Sequence, residues 1–206
     1  MTFLEAVTWE VARAGGFTAY LLLTAAVALG LALSLHWQSP RWPRIINNEM
    51  HNFLTLLALI FTGVHVVAVI FDPYTKFGLN EILVPFASHY RPIWMAFGIV
   101  GLYLGLAIGL STWLRPTIGY AMWRRLHTLT LLIFALVTVH GIATGSDART
   151  WWAGIVYGGS IVLVGGLLWQ RLLARVTPKA RTHPVLATLV VIAMAFGIGW
   201  MVAAGV

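Results

Sequence analysis

Histidine is the residue type in this chain whose spacing points most directly to chemistry. Four of the seven histidines form two pairs, because His65 stands at position i+14 from His51 and His140 stands at position i+13 from His127. A neutral imidazole can bind a transition metal through one ring nitrogen, or it can relay a proton. A lone histidine among apolar residues is more often a packed polar side chain than a ligand. The two similar spacings favour a shared role, which depends on the elements that carry them.

Those elements are strongly apolar. Of the 206 residues, 60% are hydrophobic and only 9% are charged, whereas the surface of a soluble domain needs far more charge. The composition therefore indicates a chain that is partly solvated by lipid. The chain has no cysteine, so disulfides, thiolate metal sites, iron–sulfur clusters and thioether attachment of a heme are excluded.

Six stretches are apolar enough to cross the roughly 30 Å of membrane hydrocarbon, for which a helix needs about 20 residues. These predicted spans are Phe17–Leu35, Asn52–Phe71, Ile93–Leu114, Leu126–Ala143, Trp151–Gln170 and Val185–Val206. Every charged residue and every proline lies outside them, because charge is costly in hydrocarbon and proline removes a helical hydrogen bond. We therefore expect an all-α, polytopic membrane protein, a six-transmembrane-helix bundle in a single domain over residues 1–206. Before the first span, Phe3, Leu4, Val7 and Val11 could form the apolar face of a separate short surface helix.

The basic residues predict how the spans are oriented. Most of them fall in the first, third and fifth loops: Arg41, Arg44, Arg115, Arg124, Arg125, Arg171, Arg175, Lys179 and Arg181. Cytoplasmic loops carry the excess of Lys and Arg, so we expect both termini outside a cell (plasma or inner) membrane. The net charge of +7 then has a topological explanation, and we expect membrane lipid and no nucleic acid as a partner.

The second and fourth spans run in the same direction in this topology, so their histidines align in depth. At about 1.5 Å per residue, each pair covers roughly 20 Å along the membrane normal. His51 then falls level with His127 on the inner side, and His65 level with His140 on the outer side. Two facing imidazoles at one depth can supply both axial ligands of a heme iron. The pattern predicts two b-type hemes between the second and fourth helices.

The two spacings are not equivalent on an ideal helix. At about 100° per residue, a step to i+14 returns almost to the same face, whereas a step to i+13 misses it by roughly 140°. Either the fourth helix departs from ideal geometry, or His127 and His140 reach their irons from different sides.

The surroundings of the histidines suit a porphyrin. Gly63 and Gly141 sit beside the predicted outer pair and leave room, although ordinary helix packing would also explain them. Heme propionates need cationic or hydrogen-bonding partners near the membrane surface. Arg124 and Arg125 flank the predicted inner level, and Arg91 is the matching cation on the outer side. Charge asymmetry across the membrane is the competing explanation for these arginines.

With these residues, the chain resembles the ferric reductase-like transmembrane domain family, which includes NADPH oxidases and ferric reductases. The resemblance rests on the two histidine pairs and on two segments, Leu83-Val84-Pro85-Phe86-Ala87-Ser88 and Trp123-Arg124-Arg125-Leu126-His127. The chain is also similar to the heme-binding membrane subunit of the bacterial methionine-sulfoxide reductase system. The resemblance covers most of the chain, roughly from the first helix to the fifth.

The resemblance implies electron transfer from an inner heme to an outer heme, and then to ferric iron, oxygen or a partner reductase. No Gly-rich dinucleotide fingerprint is present, so electrons would come from a separate flavoprotein, a bound FMN or FAD, or membrane quinol. One alternative is a quinol-fed subunit of a periplasmic methionine-sulfoxide reductase-type system. Another, of a different class, is a heme-free transporter or structural bundle whose histidines relay protons. The predicted spans contain no ionisable partner for such a relay.

Overall fold

The long apolar stretches of the chain form α-helices. The structure, a computed structural model, describes residues 3–37, 43–73 and 75–176. The helices are α1 (Phe3–Ser34), α2 (Arg44–Ile70), α3 (Leu79–Leu83), α4 (Pro92–Trp113), α5 (Arg115–Ile118), α6 (Tyr120–His127), α7 (Thr130–Thr144) and α8 (Trp151–Val176). No strand occurs within these ranges, so the all-α prediction is confirmed for them.

Five helical segments are long and apolar enough to cross a membrane. They are Ala6–Ser34, Arg44–Ile70, Pro92–Trp113, Tyr120–Thr144 and Trp151–Ala174, and they contain most of the first five predicted spans. This is the pattern of a multi-pass membrane protein. The sixth predicted span, Val185–Val206, lies outside the described residues.

The N-terminal segment differs from the prediction. Residues 3–16 do not form a separate surface helix, because α1 continues unbroken from Phe3 to Ser34. Glu10 and Arg13 form an ion pair at 2.9 Å along this helix, where residues three apart are neighbours. Gly15 and Gly16 each lower helix propensity by about 1 kcal/mol relative to alanine, yet neither interrupts the helix. Both glycines lie against His65 of α2.

Large apolar side chains remain exposed along α2. Phe53, Leu56, Ile60 and Val67 each show about half or more of their surface. A soluble protein rarely exposes so long an apolar face, because burying it in water-free surroundings is favourable. Such a face is typical of a helix that crosses a membrane.

The chain divides into two compact units. The first consists of Met1–Tyr20 and Leu57–Gly145, and the second of Leu21–Leu56 and Ser146–Val206. In the first unit, the rings of Tyr20 on α1 and Phe134 on α7 stack with centroids 6.0 Å apart. Thr138 lies one turn further along α7, and its hydroxyl shares a hydrogen bond of 3.2 Å with the Tyr20 hydroxyl.

The fourth span is interrupted between its two histidines. The helix ends at His127, passes through a tight turn at Thr128 and Leu129, and begins again at Thr130. The Leu129 N–H donates to the carbonyl of Leu126 at 3.0 Å, three residues back, as in a 3₁₀-helix. Each 3₁₀ residue advances about 120° instead of about 100°, so the two turn residues reduce the mismatch from roughly 140° to roughly 100°. The fourth helix therefore departs from ideal geometry, which is the first of the two predicted possibilities.

Candidate cofactor site

Three of the four paired histidines make the same hydrogen bond. Each ring Nδ1 lies within hydrogen-bonding distance of a backbone carbonyl on a neighbouring helix. The pairs are His51 with Ala26 at 2.9 Å, His65 with Ala12 at 2.7 Å and His140 with Trp94 at 2.9 Å. A carbonyl oxygen can only accept, so Nδ1 must carry the proton in all three rings.

This hydrogen bond determines what the other ring nitrogen can do. A neutral imidazole that carries its proton on Nδ1 has an unprotonated lone pair on Nε2. Histidines that bind metals typically donate their second ring N–H to a carbonyl or carboxylate in this way, which orients the ring and increases its basicity. In His51, His65 and His140 the proton therefore lies on Nδ1 and the lone pair on Nε2.

A glycine lies against each of these rings. A Cβ built on the glycine would approach the imidazole more closely than most real contacts allow. The closest approaches are 3.0 Å from Gly16 to His65, 3.2 Å from Gly30 to His51 and 2.7 Å from Gly98 to His140.

Each glycine stands four residues after the accepting carbonyl. The combinations are Ala12 with Gly16, Ala26 with Gly30, and Trp94 with Gly98. Residues i and i+4 lie on one face of a helix, so the carbonyl and the glycine form one surface for the ring. We call this combination a glycine seat.

Sequence reasoning missed the glycine seats, although a signal was present. Gly30 stands at position i+14 from Gly16 on α1, and His65 stands at the same separation from His51 on α2. A matched spacing on two consecutive helices indicates that the residues at those positions contact each other. The contacts with the imidazole rings in the folded chain are what distinguish these glycines from others in the helices.

The two histidines predicted for the outer level, His65 and His140, both belong to the first unit. Each ring rests on a glycine seat of a different helix, α1 for His65 and α4 for His140. His51 belongs to the second unit and His127 to the first, so each is described within its own unit.

His127 has different surroundings. Its ring stacks on Trp123, one turn earlier on α6, with centroids 4.9 Å apart and planes inclined by 26°. Trp123 is itself held by α4, because its Nε1–H donates to the Thr112 hydroxyl at 3.0 Å. The Arg115 guanidinium lies 5.3 Å from the centre of the same indole ring.

Arg91 contacts α7, the helix that carries His140. Its guanidinium donates to the carbonyl of Ala143, three residues after His140. Arg91 precedes Pro92 at the start of α4 and adopts a left-handed backbone with φ of 45°. The predicted cation therefore stands at the same end of α7 as the predicted outer ligand. Its contact with a propionate stays a prediction.

Arg124 and Arg125 lie on α6 together with His127. Both side chains are exposed in the last turn of that helix, two and three residues before the histidine. Cations are favourable at this end of a helix, where the unpaired carbonyls carry partial negative charge. This placement agrees with either predicted role, a propionate contact or charge asymmetry across the membrane.

A carboxylate organises the loop between α2 and α4. Glu81 accepts hydrogen bonds from the Gly78 N–H at 2.9 Å, the His89 N–H at 2.9 Å and the His89 ring Nδ1–H at 2.5 Å. The Gly78 bond first, and then the two bonds from His89, lower the pKa of Glu81 to about 2. The loop that leads to Arg91 is therefore tied down by one ionised side chain.

A bis-histidine heme requires fewer protein ligands than a metal ion held by protein alone. Among the described residues, no three His, Cys, Asp or Glu side chains converge. A heme needs only two protein ligands, because the porphyrin supplies the other four. A Cβ on Gly63, two residues before His65, would meet no described atom within 4 Å, which leaves space on this side of α2.

The described residues form an all-helical fold with five helices long and apolar enough to cross a membrane, which is consistent with a multi-pass membrane protein. No family model, curated protein or solved structure matches the chain.

Proposed function

We propose that this protein is a heme-binding membrane subunit of an oxidoreductase that transfers electrons across a membrane. The observation that carries the proposal is that His65 and His140, both in the first unit, make the same ring hydrogen bond. Each ring donates Nδ1–H to a carbonyl, which leaves the Nε2 lone pair for a metal. A packed structural histidine does not require a second ring with the same arrangement.

The pair of ligands suits electron transfer rather than substrate chemistry. A heme held here would exchange one electron between its ferric and ferrous states. His65 and His140 would both bind the iron, and the heme would then keep no open position for a substrate. The carbonyls of Ala12 and Trp94 hold the two rings in place, so little rearrangement accompanies a change in charge.

The proposal extends to a second heme on His51 and His127. This part rests on the sequence spacing and on the resemblance to the ferric reductase-like family. Electrons would enter from the cytoplasmic side, from a flavoprotein, a bound flavin or quinol, and would leave outside to ferric iron, oxygen or a partner reductase. Arg124 and Arg125 are the proposed propionate partners inside, and Arg91 is the proposed partner outside.

Heme content of the purified full-length protein tests the proposal. After expression with ample heme supply, we expect a Soret band and two hemes b per chain by extraction. The variants His65→Ala and His140→Ala should each lose one of the two hemes. A wild-type protein without Soret absorbance would contradict the proposal and favour a heme-free bundle.

A histidine outside the site provides the matched control. His36 is exposed in the turn after α1 and has a positive φ of 61°. Asparagine adopts this conformation readily, so His36→Asn removes an imidazole without straining the turn. This variant should keep both hemes. Loss of heme in His36→Asn would show that the assay reports expression or folding rather than ligation.

The source of electrons can be tested on the same preparation. Reduction of the purified protein by a quinol alone would favour the quinol-fed system. Reduction that requires a co-purified flavoprotein would favour the ferric reductase-like arrangement.

A further inference from the structure

We infer that Gly16, Gly30 and Gly98 are positioning residues that hold His65, His51 and His140 against backbone carbonyls. Each glycine seat would set the protonated nitrogen and the orientation of its histidine ring. The heme-based consequences rest on the proposed function, whereas the state of the rings can be measured without it.

Helix geometry explains why the residue four after the carbonyl must be glycine. The carbonyl of residue i accepts the N–H of residue i+4 within the helix and keeps a second lone pair. The Cβ of residue i+4 points back toward the helix N-terminus and covers the turn that contains this carbonyl. Without a Cβ, the second lone pair can be reached from a neighbouring helix. The Ala12 carbonyl is reached in this way by His65, over Gly16.

The contact distances give the three glycine seats an order of sensitivity. A Cβ on Gly98 would lie 2.7 Å from Cε1 and 2.8 Å from Nδ1 of His140, closer than real Cβ atoms approach. A Cβ on Gly16 would lie 3.0 Å from Nδ1 of His65. For Gly30 the closest approach is 3.2 Å, to Cε1 of His51. We therefore expect effects that decrease from Gly98 through Gly16 to Gly30.

The added methyl group would displace one particular atom of the histidine ring. At Gly98 and Gly16 the methyl group would meet Nδ1 itself, the atom that donates to the carbonyl. Relief of the overlap therefore lengthens or breaks this hydrogen bond. A ligand that loses its hydrogen-bond acceptor becomes less basic, so the ferric state is favoured less and the reduction potential rises.

The variants Gly98→Ala and Gly101→Ala form a matched pair on α4. Both add one methyl group with a similar overlap, because a Cβ on Gly101 would lie 2.9 Å from Cγ2 of Val137. Only the first overlap involves an imidazole. If the glycine acts through helix packing alone, the two variants should behave alike.

Gly98→Ala should bind heme about tenfold more weakly, the lower end of the effect seen when partners of metal ligands are removed. If ferric binding weakens tenfold more than ferrous binding, the midpoint potential rises by about 59 mV for one electron. The low-spin ferric EPR signal should also shift, because it depends on the orientation of the ring. Gly101→Ala should keep the wild-type potential and EPR signal.

The variants Gly16→Ala and Gly15→Ala form a second pair with a smaller overlap, which keeps the inference testable if Gly98→Ala does not fold. A Cβ on Gly15 would lie 3.4 Å from the backbone N of His65, an ordinary contact. Gly16→Ala should change the His65 ring and Gly15→Ala should not.

¹⁵N NMR of the histidine rings in the full-length purified chain provides a readout that does not depend on electron-transfer activity. In the wild type and both control variants, His65 and His140 should carry the proton on Nδ1. A weaker Nδ1–H hydrogen bond, seen as a shift of the ring resonances, in Gly98→Ala or Gly16→Ala alone would support the inference. Unchanged rings in both variants, or equal changes in the controls, would overturn it. A wild type that lacks heme but shows the expected ring difference would refute the proposed function and support the glycine seats.

Discussion

His140 and His127 belong to the same predicted span but are held in different ways. The His140 ring rests on the Trp94 carbonyl of another helix and donates a hydrogen bond to it at 2.9 Å. The His127 ring stacks on Trp123 of its own helix at 4.9 Å. A carbonyl contact sets both the direction of the ring and the position of its proton, whereas an aromatic stack sets mainly the plane. The two histidines are therefore expected to respond to different substitutions.

The difference can be traced to α4. At position i+14 from Trp94 and Gly98 stand Ile108 and Thr112, so the glycine seat is not repeated at that distance. The Ile108 carbonyl instead accepts the hydroxyls of Ser111 at 2.8 Å and Thr112 at 3.0 Å. On α1, by contrast, a glycine seat does recur at position i+14. The glycine seat recurs on α1, and its partner α2 is a regular helix. It occurs once on α4, and the partner span formed by α6 and α7 is interrupted after His127.

The largest effects should come from removing the rings themselves. His65→Ala and His140→Ala should each lose the same heme, so the double variant should bind as much heme as either single variant. His127→Ala should remove the other heme, and combined with His140→Ala it should leave almost none. Heme extraction per chain measures both combinations. Additive loss in the His65 and His140 double variant would contradict the pairing, because residues that act as one unit are not additive.

Substitution of Trp123 should affect His127 and spare His140. Loss of an aromatic stack costs about 0.5–1.5 kcal/mol, which corresponds to roughly threefold to tenfold weaker binding at the His127 level. Trp123→Leu should show this loss, and Trp123→Phe should keep most of the stack while losing the bond to Thr112. Redox titration that resolves the two hemes measures the effect. A shift of the His140 heme instead would contradict the division between the two sites.

A smaller effect is expected at the turn after His127. The Thr130 hydroxyl donates to the His127 carbonyl at 2.8 Å, three residues back, whereas the Thr144 hydroxyl donates to the His140 carbonyl at 2.7 Å, four residues back. Thr130→Val should lower stability by about 1 kcal/mol, the usual value of one hydrogen bond. Thr144→Val is the control in regular helix and should cost less. Thermal unfolding in detergent compares them, and equal losses would mean that the turn has no special need of Thr130.

The smallest effect is expected in the loop before α4, where Glu81 holds the backbone. Its pKa of about 2 in the folded protein lies below the ordinary value of 4.5, so its contribution is fully present above pH 4.5 and is lost as the pH falls toward 2. The Gly78 and His89 amides should lose protection from hydrogen exchange over this range. Glu81→Gln should show reduced protection already at neutral pH. Protection that does not change in either case would mean that the loop is held by other contacts.

Much of this architecture could be predicted from local properties of the chain. Hydropathy, charge and proline positions located the first five spans, because the energy of placing each residue in lipid depends chiefly on that residue. The short surface helix predicted before the first span was wrong, because α1 continues from Phe3 to Ser34. Within it, Gly15 and Gly16 lie against His65 on α2, a contact that hydropathy does not predict.

Only part of the candidate site could be predicted from local properties of the chain. The spacing identified all four histidines, and the conflict between the i+13 and i+14 steps predicted either an irregular fourth helix or histidines on different sides of it. The turn at Thr128 and Leu129 shows that the fourth span departs from a regular helix. Arg91 could be proposed as a cation near the outer ligand, but its tie to Ala143 required the folded chain.

What the sequence determined by itself is the set of apolar helices and the positions of the histidines along them. Both follow from residue identity and helical periodicity, which act over one or a few turns. Only the tertiary structure decided which carbonyl each ring contacts, which glycine makes room for it, and where the proton must lie. Those properties depend on tenths of an ångström between separate helices, and no local pattern specifies them.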